Sequence, residues 1–320
     1  GASNAFVQSR GVWNAARVAP LLSVEGLCRT AEACAAGMED GHPLFLRLHA
    51  CRALDLLSRH ATKLSREGGP YGLPGAAGRA MCFARVGAAV RAAVSAAPAL
   101  AAACEENSAH VVVETMTQLV KQLPAHAVGN GGARILIQMA MGMWVRHPTH
   151  GFIVEVVEDL LIALPRVPQA LPHMLDTVVP CLPEVFERVR LGEIRLESVA
   201  QGALALLREV AKRAGEFVGD GATSTCGGVA SAEAGCCGGT SLIAVGESLL
   251  AGLRGAGPLL LQTDSHALMQ EGCSTLKAFV ITLSNISTTP STNAVNTHRA
   301  ALQGNFLAGS PGGIVCLADT

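Results

Sequence analysis

Residues Pro43–Leu64, PLFLRLHACRALDLLSRHATKL, carry the pattern that decides the fold. Apolar residues recur there every three or four positions, which is the spacing of one face of an α-helix: Leu44, Leu48, Cys51, Leu54, Leu56 and Leu57. Pro43 favours the first turn of a helix, where its missing N–H has no partner to lose. The preceding Ser23–Met38, SVEGLCRTAEACAAGM, has the same spacing and ends among glycines. We therefore predict a pair of antiparallel helices with an apolar face that must pack on a neighbour.

This helix pair recurs along the chain. The same spacing predicts the pairs Gly78–Ala97 with Ser108–Leu123, Ala133–Val145 with Phe152–Leu164, Leu171–Val189 with Ile194–Ala214, and Leu242–Leu253 with His266–Ser284. The second helices that begin at Ser108, Phe152 and Ile194 follow one another at the spacing of HEAT and armadillo repeats, about 40–47 residues. The sequence thus predicts an all-α fold, an α-solenoid of HEAT/armadillo-type antiparallel helix pairs.

Composition changes mark the limits of this fold. The stretch 65–78 is rich in Gly and Pro, and 215–240 is rich in Gly, Ser and Thr with Cys236 and Cys237 adjacent. Such stretches are typical of loops and of low-complexity insertions. We expect a solenoid over 1–286 with loop insertions at 65–78 and 215–240, followed over 287–320 by an incomplete repeat or a poorly ordered tail.

Charge and hydropathy restrict the function classes. The formal net charge is −1, whereas a nucleic-acid-binding domain is normally clearly basic. The longest apolar run, from Ala88 to Cys104, contains Arg91 and Pro98, and a membrane-spanning helix needs about 20 apolar residues. We expect no direct nucleic-acid binding and no membrane insertion.

The termini and cysteines indicate where the chain works. The chain begins without Met and has no secretion signal at its start, and its eleven cysteines are scattered. Disulfide scaffolds are instead short and dense in cysteine. We expect reduced thiols in the cytosol or nucleus and a segment of a longer protein.

Catalytic and cofactor motifs are missing from the sequence. No stretch matches the phosphate-binding loop G-x-x-x-x-G-K-S/T or the nucleophile elbow G-x-S-x-G. Cys226, Cys236 and Cys237 lack a C-x-x-C spacing, and His147 and His150 flank Pro148 at a predicted helix corner. We predict a protein that is not an enzyme and that holds no cofactor and no metal.

Acidic residues give a more specific hypothesis. Eight carboxylates fall in, or at the start of, the predicted second helices: Glu114, Glu155, Glu158, Asp159, Glu193, Glu197, Asp264 and Glu271. In a stacked repeat protein the second helices line one extended binding surface. These carboxylates are candidates for a groove that binds a basic protein. The alternative is that they are ordinary solvated helix faces, and the basic residues of the first pair oppose a uniformly acidic surface: Arg47, Arg52, Arg59 and Lys63.

Four segments resemble the importin-β family of karyopherins. They are GVWNAAR at Gly11–Arg17, LRLHACRAL at Leu46–Leu54, VETM at Val113–Met116 and TDSHALMQEGCSTLKAF at Thr263–Phe279. The likeness runs with gaps from about Phe6 to about Val280 and excludes 215–240 and the tail after Ser287. The resemblance places the chain in the central to C-terminal repeats of such a receptor.

What the resemblance implies is nuclear import. It implies a receptor that carries basic cargo, including histones and ribosomal proteins, under control of Ran-GTP, that contacts nucleoporins and that works in both cytoplasm and nucleus. The family's Ran-binding N-terminal repeats would lie before residue 1, and the family's long acidic insertion is absent from this segment. The main alternative is a HEAT-repeat scaffold subunit of a stable complex. An enzyme is a more distant alternative, which a metal held by Cys226, Cys236, Cys237 and a histidine would revive.

Overall fold

The computed structural model describes residues 4–67, 76–194, 197–223 and 242–288. These ranges consist of helices and connecting turns and contain no β-strand, so the all-α prediction is confirmed for them. In chain order the helices are α1 (Ala5–Arg17), α2 (Val24–Gly37), α3 (Leu44–Glu67), α4 (Ala76–Ala103), α5 (Glu106–Gln122), α6 (Pro124–Val128), α7 (Gly132–Arg146), α8 (Gly151–Ala163), α9 (Leu171–His173), α10 (Leu182–Arg190), α11 (Glu197–Thr223), α12 (Leu242–Gln262) and α13 (His266–Thr288). A π-turn (Met174–Val178) and a 3-10 turn (Val179–Cys181) join α9 to α10.

The helices pack side by side in two rows. Row A runs α2, α4, α7, the α9–α10 segment and α12, and each of these contacts the next. Row B runs α1, α3, α5, α8, α11 and α13, again with each in contact with the next. The rows are joined because each helix of row A packs against the row B helix that follows it in the chain. The predicted helix pairs are therefore present as contacting neighbours, except that the predicted helix Leu171–Val189 is not continuous and is divided into the α9–α10 segment.

The core between the rows is built from small aliphatic side chains. Leu54, Val113, Leu160 and Leu204 are completely buried, and each belongs to a row B helix. Full burial of such a side chain stabilises a fold by about 1.5–3 kcal/mol. Alanines fill many of the remaining core positions. Because alanine is small, the helices approach one another closely, and large aromatic side chains are not needed to fill the core.

Local sequence sets several helix ends. The Ser23 hydroxyl accepts a hydrogen bond from the Gly26 N–H at 3.1 Å and caps the N-terminus of α2. Gly131 before α7 and Gly192 after α10 have positive φ angles of 82° and 74°, a conformation that glycine adopts without a Cβ penalty.

The predicted loop boundaries at 65–78 and 215–240 were wrong at their edges. Helix α3 continues to Glu67, α4 begins at Ala76 and α11 continues to Thr223. Gly215 keeps α11 close to α13, since a Cβ at Gly215 would lie 3.0 Å from the Thr282 Oγ1. The remainder of both stretches, and all of 289–320, lies outside the described residues.

The predicted end of α4 at Ala97, directly before Pro98, was also wrong. Helix α4 passes through Pro98, because Ala97 and Leu100 are buried beside it and their packing offsets the one lost hydrogen bond. Of the described helices, only α4 is long and apolar enough to cross a membrane, because a window of 18 residues within Ala77–Ala103 has a mean hydropathy of 1.5. Half of that window is buried, and α4 contacts α2, α3, α5 and α7. Part of its apolar surface is thus used inside the helix assembly.

Arg47 departs from its predicted place on the solvated side of α3. It is only 6% exposed, and its guanidinium Nε donates to the Met38 carbonyl at 3.2 Å. Its Nη2 donates to the Asp40 carboxylate at 2.6 Å. Arg47 therefore holds the turn between α2 and α3 rather than facing solvent.

Candidate partner-binding surface

The eight candidate carboxylates all lie on row B or in the turns that lead into it. They do not form one line, because the structure separates them into a group on α5 and α8 and a group around the starts of α11 and α13. The first group is Glu114, Glu155, Glu158 and Asp159, and the second is Glu193, Glu197, Asp264 and Glu271.

Helices α5 and α8 bring three of these carboxylates to one cleft. Glu114, Glu155 and Asp159 are all exposed, and they line a cleft of about 160 Å³ together with the aromatic ring of Phe152. Glu155 and Asp159 are four residues apart, so they project from the same face of α8. Helix α8 contains no Lys or Arg. We call this feature the acidic cleft.

Phe152 forms an apolar wall of the acidic cleft. Its side chain is 51% exposed, and its ring meets the His110 ring edge-on with centroids 4.7 Å apart. This contact ties the start of α8 to α5. A lysine or arginine entering the cleft would find carboxylates for its charge and an aromatic face for its aliphatic stem.

Glu158 differs from its neighbours on α8, although the sequence grouped it with them. It points toward α11, and one of its buried oxygens, Oε1, has no hydrogen-bond partner among the described residues. Burial, then the charges of Asp159 and Glu155, raises the pKa of Glu158 from 4.5 to about 8. Glu158 is therefore protonated at neutral pH and adds no charge to the acidic cleft.

Glu197 and Asp264 lie at a second opening. They line a pocket of about 490 Å³ between the α10–α11 turn and the α12–α13 turn. The Ser265 hydroxyl donates to the Glu197 carboxylate, and the Gln201 side chain donates to the same oxygen at 3.1 Å. These contacts use Glu197 to hold the two turns together.

The remaining two candidates form ion pairs. Glu193 accepts from Arg188 at 3.2 Å, and Glu271 lies 2.6 Å from Arg208. Each carboxylate is partly neutralised by its partner. The strongest concentration of free negative charge in the candidate set is therefore the acidic cleft.

The basic residues of α3 lie on the same row at the other side of α5. Arg52, Arg59 and Lys63 are all exposed, and Arg59 pairs with Asp55 at 2.8 Å. The surface of row B thus changes sign between α3 and α8. Helix α1 adds Arg17 to these cations, because α1 contacts α3. This contact was not predicted from the sequence, since α2 lies between the two helices in the chain.

His147 and His150 make hydrogen bonds at helix ends, and Cys51 is buried in the core. His147 hydrogen-bonds Glu106 at 3.0 Å, and the His150 ring accepts from the Ile153 N–H at 3.4 Å at the start of α8. Burial raises the pKa of the Cys51 thiol to about 12, which makes it unreactive. In the described ranges no group of three His, Cys, Asp or Glu is placed to hold a metal ion. Cys226, Cys236 and Cys237 lie outside those ranges.

The segments that resemble importin-β karyopherins share a location. Gly11–Arg17 lies in α1, Leu46–Leu54 in α3 and Val113–Met116 in α5, and Thr263–Phe279 leads into α13. All four belong to row B or to the turn before it, which is the row that carries the acidic cleft. A scan against known protein families finds no match to this chain, and a search of curated proteins finds none either.

Proposed function

We propose that the two rows are an α-solenoid of HEAT-type helix pairs, and that the chain is part of a nuclear transport receptor of the importin-β family, closest to importin-9. In this proposal row B binds a basic protein segment such as a histone, and the protein works in cytoplasm and nucleus. The order of helix contacts and the four resembling segments support the assignment. The single observation that carries it is the acidic cleft of Glu114, Glu155 and Asp159.

The cleft suits a lysine- or arginine-rich segment better than a single ligand. An exposed ion pair contributes about 0.2–1 kcal/mol, so three carboxylates alone give modest affinity. Tight binding then requires further contacts along row B, and it falls as salt screens the charges. Ran-GTP would lower cargo affinity through reciprocal coupling. Nucleoporin contacts are part of the same proposal.

Binding of a fluorescently labelled histone dimer, followed by anisotropy, tests the proposal. The test variant carries Glu114→Gln, Glu155→Gln and Asp159→Asn. The matched control carries Glu25→Gln, Glu32→Gln and Glu184→Gln, which remove three carboxylates from row A. We expect the test variant to bind about tenfold more weakly at low salt, which corresponds to about 0.5 kcal/mol per carboxylate. The control should bind like the unmodified chain.

Salt and Ran-GTP provide the second arm of this experiment. Affinity for the histone dimer should fall steeply between about 50 and about 300 mM salt, and Ran-GTP should lower it further. Equal losses in the test and control variants would argue against the acidic cleft as the binding site. A salt-independent affinity would argue against basic cargo altogether.

A scaffold subunit of a stable complex is the second candidate, and one observation favours it. Helix α13 exposes Met269, Val280 and Ile281, which are 44%, 64% and 52% exposed. An apolar surface of this kind suits a permanent partner. The scaffold hypothesis predicts a partner whose binding is insensitive to salt, unaffected by the acidic-cleft variant and weakened by Val280→Asp.

A further inference from the structure

Helices α1 and α3 form a basic end of row B. Helix α1 carries Arg10 and Arg17 and has no acidic residue, and α3 through Leu64 carries a single acidic residue, Asp55. The basic residues in that part of α3 are Arg47, Arg52, Arg59 and Lys63. This charge is opposite to that of α8, so the basic-partner hypothesis does not account for this end.

A groove separates the exposed sides of α1 and α3. Its volume is about 620 Å³. Trp13, Pro20 and Leu56 supply apolar surface, while Arg17, Arg59 and Lys63 supply positive charge. We call this feature the α1–α3 groove.

Trp13, the aromatic wall of the groove, contacts two side chains that do not line the groove. The Arg52 guanidinium lies 5.9 Å from the centroid of the Trp13 ring, and the His49 ring lies 6.2 Å from it. A rigid, partly exposed tryptophan is a frequent anchor point in protein interfaces, because it offers a large contact area with little entropy to lose.

We propose that the α1–α3 groove binds an acidic protein segment that presents a leucine or a similar aliphatic side chain between aspartates or glutamates. The aliphatic side chain packs on Trp13 and Leu56, and the flanking carboxylates meet Arg17 and Lys63. This interaction is independent of the basic partner proposed for the acidic cleft.

Charge along row B favours a short acidic peptide over nucleic acid. The pKa of Arg59 is raised, first by its hydrogen bond to Asp55 and also by the charge of Glu114 on α5. The positive charge of the groove therefore ends on α3, and the negative charge of the acidic cleft begins on α5, the next helix of row B. A long polyanion that followed row B would run into Glu155 and Asp159, whereas a short acidic segment across α1 and α3 would not.

Binding of a short labelled peptide, Asp-Glu-Asp-Leu-Glu-Asp-Glu, to the full chain tests the proposal by anisotropy. The test variant is Arg17→Glu with Lys63→Glu. The control is Arg29→Glu with Arg134→Glu, which makes the same charge change on row A. We expect the test variant to bind at least about tenfold more weakly than the control. A peptide with Ala in place of Leu should bind the unmodified chain about fivefold more weakly.

Tryptophan fluorescence locates the peptide independently of the charge variants. The chain has two tryptophans, so Trp144→Phe leaves Trp13 as the reporter, and we expect its emission to shift as the leucine peptide saturates. An unchanged emission at saturation, or equal losses in the test and control variants, would place the peptide elsewhere and overturn the proposal. Equal binding of the Ala peptide would show that the groove attracts anions in general and does not recognise the leucine, which would also overturn the proposal. Tighter binding of single-stranded DNA of the same charge would make it a nucleic-acid surface. Should the test variant fail to fold, as judged by circular dichroism, the Ala peptide and the Trp13 emission still decide.

Discussion

Glu158 of α8 lies directly against Gly202 of α11, where a Cβ would stand only 2.0 Å from the glutamate carboxyl carbon. The missing side chain at position 202 makes the space that the carboxyl group fills. Water is largely excluded from this space, which is the first cause of the raised pKa of Glu158, about 8. Beside the acidic cleft, α8 therefore carries a buried carboxylic acid that stays neutral when its neighbours Glu155 and Asp159 are charged.

Glu158→Gln should change how stability depends on pH. The pKa of Glu158 is raised from 4.5 in the unfolded chain to about 8 in the fold, so the folded state holds this proton more tightly. The contribution of this proton to the free energy of unfolding is fully present below the unfolded pKa of 4.5, and it is lost as the pH rises through the folded pKa of about 8. Relative to the unmodified chain, Glu158→Gln should gain about 4 kcal/mol between about pH 5 and about pH 9, because a one-proton difference changes the free energy of unfolding by about 1.4 kcal/mol per pH unit. Urea unfolding at a series of pH values measures this difference.

Glu155→Gln is the matched control for that series. It neutralises a carboxylate on the same helix that faces water, so its stability relative to the unmodified chain should change far less with pH. A parallel pH dependence in the two variants would contradict the assignment of the buried proton to Glu158.

Gly202→Ala should expel the Glu158 carboxyl group. The new Cβ occupies the space of the carboxyl group. The Glu158 side chain can then rotate toward solvent, because water solvates a carboxylate but not an aliphatic side chain. We expect a loss of about 1 kcal/mol in the free energy of unfolding at neutral pH, together with a weaker pH dependence. The measurement is a double-mutant cycle: in the Gly202→Ala background, adding Glu158→Gln should no longer produce a pH-dependent gain. A gain that persisted unchanged would show that the two residues do not interact.

The helix pairs could be predicted because their signal is local. In Pro43–Leu64 the apolar stripe, the proline at the start and the charges opposite are all within one helix, and the structure forms α3 there. Boundaries were less predictable where packing between distant segments decides them. Pro98 stays within α4 and Gly215 within α11 because of contacts with other helices, which no single stretch of sequence encodes.

The site was predictable as a set of residues but not as a geometry. The sequence placed Glu155, Glu158 and Asp159 on one helix, yet only the contact with α11 separates the neutral carboxyl group from the charged ones. One local signal was available, since Val154 and Leu161 flank Glu158 at helical spacing and both are buried. The α1–α3 groove had no local signal, because Trp13 and Leu56 are brought together across the whole of α2.

Glycines of α12 offer a direct test of helix packing. Gly252, Gly255 and Gly257 all lie within α12. A Cβ at Gly255 would lie 2.5 Å from the backbone Cα of Pro183 in α10, and backbone cannot move aside as a side chain can. We expect Gly255→Ala to lower the free energy of unfolding by about 2–3 kcal/mol, measured by urea denaturation.

Gly246→Ala on the same helix is the control for Gly255→Ala. A Cβ at Gly246 meets nothing within 4 Å, so alanine should stabilise α12 by about 0.5–1 kcal/mol through its helix propensity. The opposite signs of the two changes are the expected outcome. Stabilisation by both would mean that α10 and α12 are not in contact at Gly255.

The turn between α2 and α3 depends on the charge of Asp40. Arg47 is buried, with 8% of its side chain exposed, whereas the Asp40 side chain is 79% exposed. Asp40→Asn removes the charge that balances a buried guanidinium but keeps the shape of the side chain. Because Asp40 itself is largely solvated, we expect a loss of about 1 kcal/mol rather than the larger cost of breaking a fully buried pair.

Glu39→Gln removes the adjacent exposed charge and should leave thermal unfolding unchanged. The loss in Asp40→Asn should persist at high salt, because screening acts weakly on a buried charge. If high salt abolished the stability loss of Asp40→Asn, this would contradict the burial of the Arg47 side chain, because only a solvated ion pair is screened strongly.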